Sequence, residues 1–216
     1  MKKCVIFDLD GTLFDTTLAM AACGNFALEK LGLPLLTPRQ YATASGADLD
    51  GFINAVLEMA GDTEHRYAAP FWQYYIAKNE AGDDVENRPY EGINEVLFDL
   101  KAKGIRLAVL SNKDNASCKP IVEGAFGKEV FDDIRGQRED TPPKPHPAGV
   151  DALLQQFGLK KEDCLYVGDT QVDMQTGKNA GVDTVAVLWG YRSEEVLRAF
   201  SPEFVISHPR ELLDCL

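Results

Sequence analysis

The chain has 216 residues, is 45% hydrophobic and carries a formal net charge of −12. That length suits one large domain, or an ordinary core with a smaller appendage, and the apolar content is enough to fill it. The acidic balance excludes the basic face of a nucleic-acid binder, and no apolar run reaches the roughly 20 residues of a membrane span. An anionic ligand would need local positive charge, from a metal, a lysine or helix N-termini. The five cysteines, Cys4, Cys23, Cys118, Cys164 and Cys215, are odd in number and show no C-x-x-C spacing. They are expected to be free thiols in a reducing compartment. The opening MKKCVIFDLDG meets acids too early for a secretory leader, so a cytoplasmic location is expected.

In chain order, the first element is a strand, KCVIFDLD (3–10). Residues 16–88 then show helical patterning and no convincing strand, in LAMAACGNFALEKLG, PRQYATASG, ADLDGFINAVLEMAG and APFWQYYIAKNEAG. A helix is predicted in INEVLFDLKAKG (93–104), closed by Gly104, before a strand in IRLAVLSN (105–112). A weaker strand, FDDIRG (131–136), precedes a proline-rich loop, REDTPPKPHP (138–147). Helices PAGVDALLQQFGL (147–159) and MQTGKNAGV (174–182) alternate with strands CLYVGD (164–169), DTVAVLWG (183–190) and EFVISH (203–208). Nearly continuous apolar strands alternating with amphipathic helices predict an α/β fold: a Rossmann-like parallel sheet with helices on both faces. Residues 1–14 and 89–216 would form this core, and residues 15–88 an inserted all-helical domain.

Ligands of parallel α/β sheets bind beyond the carboxyl ends of the strands, and four polar clusters fall there. Asp8 and Asp10, in DLDGT, end the first strand. Asp-Gly is an ordinary turn dipeptide. Yet one carboxylate just beyond a strand can be a nucleophile or metal ligand, and a second can carry a proton. Gly11 permits a tight turn with its N–H, like the neighbouring Thr12, available to a phosphate. Ser111 and Asn112 read either as a helix N-cap or as a phosphate-binding hydroxyl and amide. Lys144, between prolines, is a cation on a stiff loop, whereas His146 before Pro147 reads as a structural helix opening. Asp169 and Asp173, in GDTQVD with Thr170, read as a helix cap with an acid in its first turn, or as part of a magnesium site. Asp8 and Asp169 would supply carboxylates to Mg²⁺ and Asp10 a backbone carbonyl, while zinc is disfavoured because no His or Cys shows ligand spacing.

The ordered set DLDGT, SNK, KP and GDTQVD resembles the haloacid dehalogenase superfamily, over essentially the whole chain and with most similarity to its phosphoglycolate phosphatase-like branch. The resemblance implies a Mg²⁺-dependent phosphatase. Asp8 would attack phosphorus to form an aspartyl-phosphate, and Asp10 would protonate the leaving alcohol and then activate water. Lys144, Ser111 and backbone N–H groups would offset phosphoryl charge, with Asp173 and Thr170 orienting the inner groups. The helical insertion resembles that superfamily's cap, a lid whose loop near Ser45-Gly46-Ala47 would face the substrate. The partner would be a small phosphorylated metabolite, and the protein a monomer or homodimer.

Three rivals share the pattern. A sugar-phosphate mutase of the β-phosphoglucomutase kind would carry a cap histidine a few residues after the first motif, where this chain has Met20 in DTTLAMAA. A haloalkanoic acid dehalogenase would lack the second aspartate, present here as Asp10. A noncatalytic phosphate-binding module would have lost a motif position, and none is lost. Phosphoglycolate, pyrophosphate, a nucleoside monophosphate and sugar phosphates all present the same phosphate to such a core, so the pattern leaves the substrate open.

Overall fold

A computed structural model of the chain describes residues 1–46, 48–81 and 87–216. The elements, in order, are β1 (Cys4–Phe7), β2 (Phe14–Asp15), α1 (Thr17–Lys30), α2 (Pro38–Ala44), α3 (Leu49–Met59), α4 (Ala68–Glu80) and β3 (Arg88–Pro89). There follow α5 (Ile93–Ala102), β4 (Arg106–Asp114), α6 (Asn115–Phe126), β5 (Asp133–Gln137), α7 (Ala148–Phe157), β6 (Cys164–Gly168), α8 (Gln171–Ala180), β7 (Asp183–Val187), α9 (Glu194–Arg198) and β8 (Phe204–Ile206). A 3₁₀ stretch, Pro209–Cys215, follows β8.

Six strands form one parallel sheet in the order β5-β4-β1-β6-β7-β8. β1 is fully buried because it has a strand on each side, Phe7 pairing in register with Val109 of β4 and Val167 of β6. Alternation splits its side chains between two cores: Val5 and Phe7 join Leu107, Val109, Leu165 and Val167, while Cys4 and Ile6 join Ala108, Leu110, Cys164 and Tyr166. Buried on both faces, such strands need near-continuous apolar sequence, and that is why they stand out in it. The chain winds from β1 through β4 to β5, then returns to the other side of β1 for β6. The reversal opens a crevice at the carboxyl ends of β1 and β6, and Asp8 and Asp169 follow those two strands directly.

The chain divides into two compact units, Met1–Asp15 with Pro89–Leu216, and Thr16–Arg88. The first carries the six-stranded sheet. The second consists of α1–α4, with Tyr41, Val56, Leu57 and Phe71 in its interior. The two chain crossings pair as a two-stranded ribbon of β2 and β3, which is too short to leave a hydrophobic pattern. All five cysteines are free and buried. No helix among the described residues is long and apolar enough to cross a membrane.

Asp132 staples one edge of the core. Its carboxylate accepts from the Leu107 N–H at 2.8 Å and from Arg106 Nη1 at 2.6 Å, with Lys101 Nζ at 3.4 Å. Burial works to raise its proton affinity, but these donors win and hold the carboxyl below the usual range. A depressed folded-state value contributes stability above the unfolded pKa and loses it as pH falls through the folded one. Asp132→Asn is therefore expected to cost about 1–3 kcal/mol at pH 7, read by urea unfolding. The gap between variant and wild type closes at acid pH; a gap independent of pH would mean the charge is not what matters.

Candidate active site

Asp8 extends the β1 ladder, its N–H donating to Val167 O at 2.9 Å. Its carboxylate is buried and lies 2.7 Å from Lys144 Nζ, which sits equally close, 2.7 Å, to Asp173 Oδ1. Two acids thus share one ammonium whose side chain is 5% exposed. The Lys144 loop is fixed from β4: the Asn112 side chain accepts from Lys144 N at 2.8 Å and donates to Lys144 O at 3.0 Å. The Lys144–Pro145 peptide is cis, and Asn179 Nδ2 donates to Pro145 O at 2.9 Å. Beneath the lysine, the buried Tyr166 hydroxyl bonds to Leu110 O at 3.2 Å, and the ring centroid lies 5.8 Å from Nζ.

Asp169 is fully buried and accepts from Thr12 Oγ1 at 3.0 Å and from the Tyr191 N–H at 2.7 Å. Gly11 crosses directly over it. With φ at +84° and a hypothetical Cβ 2.7 Å from Asp169 Cγ, only glycine fits. Thr170, rather than Asp169, caps α8, and with Asp173 forms a capping box in which Thr170 Oγ1 reaches Asp173 Oδ2 at 2.6 Å. Asp169 is left to point its carboxylate elsewhere. Asp114 in turn caps α6, so Ser111 and Asn112 are no caps either and β4 runs past both. His146 has the expected local role, Nδ1 accepting from Ala148 N at 3.2 Å.

Charge explains the protonation behaviour. Burial, reinforced by Asp173 and Asp10, pushes the Asp8 carboxyl up to about 7 despite the opposing pull of Lys144. Asp169 is also driven well above the carboxylate range by burial and by the charges of Asp173 and Asp8. Burial pulls Lys144 down, but Asp173 and Asp8 outweigh it and lift it well above an ordinary lysine. One oxygen each from Asp8, Asp169 and Asp173 lie within 4.8 Å of one another. Three buried carboxylates against one ammonium leave an excess of negative charge, and the donors are all oxygen. That is the environment of a hard divalent cation.

The sequence candidates are distributed as follows. Asp8, Lys144, Asp169, Asp173 and Thr170 converge in one cluster, with Gly11 and Thr12 lying against Asp169. The Thr12 hydroxyl serves Asp169, and the Asn112 amide serves the Lys144 loop. Ser111 is buried and accepts from the Lys113 N–H at 3.1 Å. The Asp10 carboxylate lies 3.2 Å from Lys113 Nζ. Ser45 and Gly46 end α2 in the helical unit, Gly46 with φ +95°, and Ala47 lies outside the described residues. Two contributors carry no signal read from the sequence: Tyr166 reads as a core aromatic, and the Tyr191 donor is a backbone N–H. Lys113 stands in the SNK motif, which by itself assigns it no partner.

This arrangement coincides with a known family. The sequence profile described as "Haloacid dehalogenase-like hydrolase" matches residues 5–187, so the chain belongs to the haloacid dehalogenase-like hydrolases, and among them it is a phosphatase. It is 33% identical over 211 residues to the phosphoglycolate phosphatase of Aquifex aeolicus, covering 98% of this chain and 95% of that protein. It is 27% identical to the N-acetylmuramic acid 6-phosphate phosphatase of Pseudomonas aeruginosa, covering 99% and 94%. A solved haloacid dehalogenase-like family hydrolase from Streptococcus pneumoniae has the same fold, with TM-score 0.84 at 23% identity and 99% and 98% of the two chains covered.

Proposed function

We propose that the chain is a Mg²⁺-dependent phosphatase that hydrolyses a small phosphomonoester through an aspartyl-phosphate on Asp8, with a phosphoglycolate-like ester as the leading substrate class. The observation that carries this reading is the buried Asp8 carboxylate at a strand end, held 2.7 Å from Lys144 and beside Asp169 and Asp173. Asp8 and Asp169, with the Asp10 backbone carbonyl, would hold the cation, which when bound supplies positive charge against the phosphoryl oxygens, while Asp173, with one oxygen on Lys144 and the other on Thr170, orients the groups around it. An Asp8 oxygen forms a bond to phosphorus as the ester P–O bond breaks, and Asp10 gives its proton to the departing oxygen. Asp10 then takes a proton from water, whose oxygen bonds to phosphorus as the Asp8–phosphorus bond breaks, releasing phosphate. Lys144 restrains Asp8 and offsets charge, and the Ser111 hydroxyl is assigned to the phosphate. The Gly11 and Thr12 N–H groups, expected there from the sequence, instead donate within their own loop, to Phe14 O at 2.8 Å and Leu9 O at 3.4 Å, and the Asn112 side chain is committed to the Lys144 loop.

The helical unit Thr16–Arg88 is assigned the role of cap and substrate selector, with Ser45 and Gly46 as contact candidates. The relatives' names support this division. Chains similar along their whole length are named for a two-carbon acid phosphate and for an amino-sugar phosphate, so the ester is chosen by parts that vary around a common core. Turnover of a panel of small phosphate esters with Mg²⁺ tests the reading. Activity on short acidic phosphates above sugar phosphates and nucleotides supports it, and no turnover across the panel overturns it.

Cation binding has a readout of its own. Mg²⁺ is expected to raise the melting temperature of chelator-treated protein, with about 2.7 kcal/mol gained at a hundredfold excess over Kd. Asp169→Asn should lose most of that shift. An Asp169→Asn protein that shifts like wild type would remove this residue from the cation site.

A further inference from the structure

We propose that Lys113 is a positioning residue for the proton carrier, its ammonium fixing the orientation of the Asp10 carboxyl group so that, when it carries a proton, it faces the leaving oxygen. This rests on Asp10 having that role. Lys113 Nζ reaches both Asp10 oxygens, at 3.2 and 3.5 Å, and the two side chains are 18% and 13% exposed. A pair so far withdrawn from water holds its geometry better than one on the surface.

The backbone shows that this lysine is placed. β4 and β5 pair at Leu110↔Arg135 and again at Asp114↔Gln137, so Ser111, Asn112 and Lys113 stand opposite the single residue Gly136. Such a bulge re-aims the side chains of the longer strand. Here it serves three contacts within three residues: Ser111 Oγ accepts from Lys113 N, Asn112 clamps the Lys144 loop, and Lys113 meets Asp10. The opposing strand is pressed against the bulge, since a Cβ on Gly136 would lie 2.6 Å from Lys113 O. Cys118 Sγ also donates to that carbonyl, at 3.6 Å. Asp10, by contrast, lies on the loop beyond β1, where a carboxylate is free to turn about its own bonds unless something holds it. Held, it is aimed before substrate arrives, and the ordering cost is met in folding.

An acid that protonates the leaving group matters for an alkyl alcohol and little for an acidic phenol, which departs unaided. The test therefore compares kcat/KM for an alkyl phosphate with that for p-nitrophenyl phosphate, in wild type, Lys113→Gln, Lys113→Arg, Asp10→Asn and the Lys113→Gln/Asp10→Asn double variant. kcat/KM stops at the first irreversible step, so hydrolysis of the acyl phosphate does not enter. The ratio of the two esters in one preparation is also independent of how much of a variant has folded. Lys113→Gln is expected to lower the alkyl-to-aryl ratio about tenfold or more, part of the 10²–10⁴ a general acid contributes. Lys113→Arg should recover most of it, and in the Asp10→Asn background Lys113→Gln should change the ratio no further. Equal losses on both esters, or losses that multiply in the double variant, overturn the proposal and make Lys113 a substrate or structural group. An unchanged ratio in Asp10→Asn overturns the assignment of Asp10 itself, and the role of Lys113 with it.

Discussion

Asp8→Asn is expected to abolish turnover, by about 10⁴-fold or more in kcat, while leaving the fold in place. Asn has the shape of Asp, and its carbonyl oxygen can still accept from Lys144 Nζ, which now lies 2.7 Å from Asp8 Oδ1. What it lacks is the negative charge that makes a carboxylate oxygen nucleophilic toward phosphorus. Loss of one charge from a cluster of three buried carboxylates also relieves repulsion, so cation-free Asp8→Asn should melt no lower than wild type. Acid quenching during turnover of a ³²P-labelled ester adds a second reading. Wild type should retain protein-bound label, Asp10→Asn should retain more with an aryl ester, and Asp8→Asn should retain none. Wild-type turnover in Asp8→Asn would transfer the nucleophile's role to another residue, and the reading of the site would fall.

The two halves of this site differed in how openly the sequence displayed them. Strands buried on both faces must be apolar throughout, so β1, β4, β6 and β7 stand out, and acids at their ends are conspicuous for breaking the run. Asp8 and Asp169 are legible for that reason, and the parallel order then makes them neighbours. Partnerships that depend on backbone path are not legible. Ser111 and Asn112 look like caps because both favour that position, whereas the cap is Asp114 and β4 continues through a bulge. α6 carries Pro120 and Gly124, which blur its periodicity, and β2 and β3 have two residues each. For Lys113 and Tyr166 the missing part is the partner: one is visible in the SNK motif without its acid, and the other resembles any core aromatic. Three-dimensional packing alone gives the first an acid and the second a lysine.

Lys144→Met should be the most damaging single change to stability, with a large loss of rate beside it, and its effect on stability should depend on pH. The ammonium is the cation nearest to Asp8 and Asp173, and Met has similar length but no charge. Removing one partner of a buried ion pair costs about 3–5 kcal/mol because the other charge stays behind. The sign with pH follows from Asp8, whose folded value of about 7 lies above its ordinary 3.8. A raised value means the folded protein binds the extra proton. Its stability is fully present below the ordinary value and declines as pH rises through the folded one. Without Lys144, the pull that opposed this rise is gone, so the penalty grows where the carboxylates are ionised. Chelator-treated Lys144→Met should therefore lie close to wild type in melting temperature at pH 5 and well below it at pH 8. Turnover with Mg²⁺ should fall about 10³-fold, since a fixed charge beside the reacting centre is lost. Arg at 144 keeps the charge but brings a planar fork into a side-chain slot only 5% open, so it should restore stability at pH 8 better than rate. An equal melting deficit at both pH values would show that Lys144 acts there through packing, and the electrostatic account of the cluster would have to be abandoned.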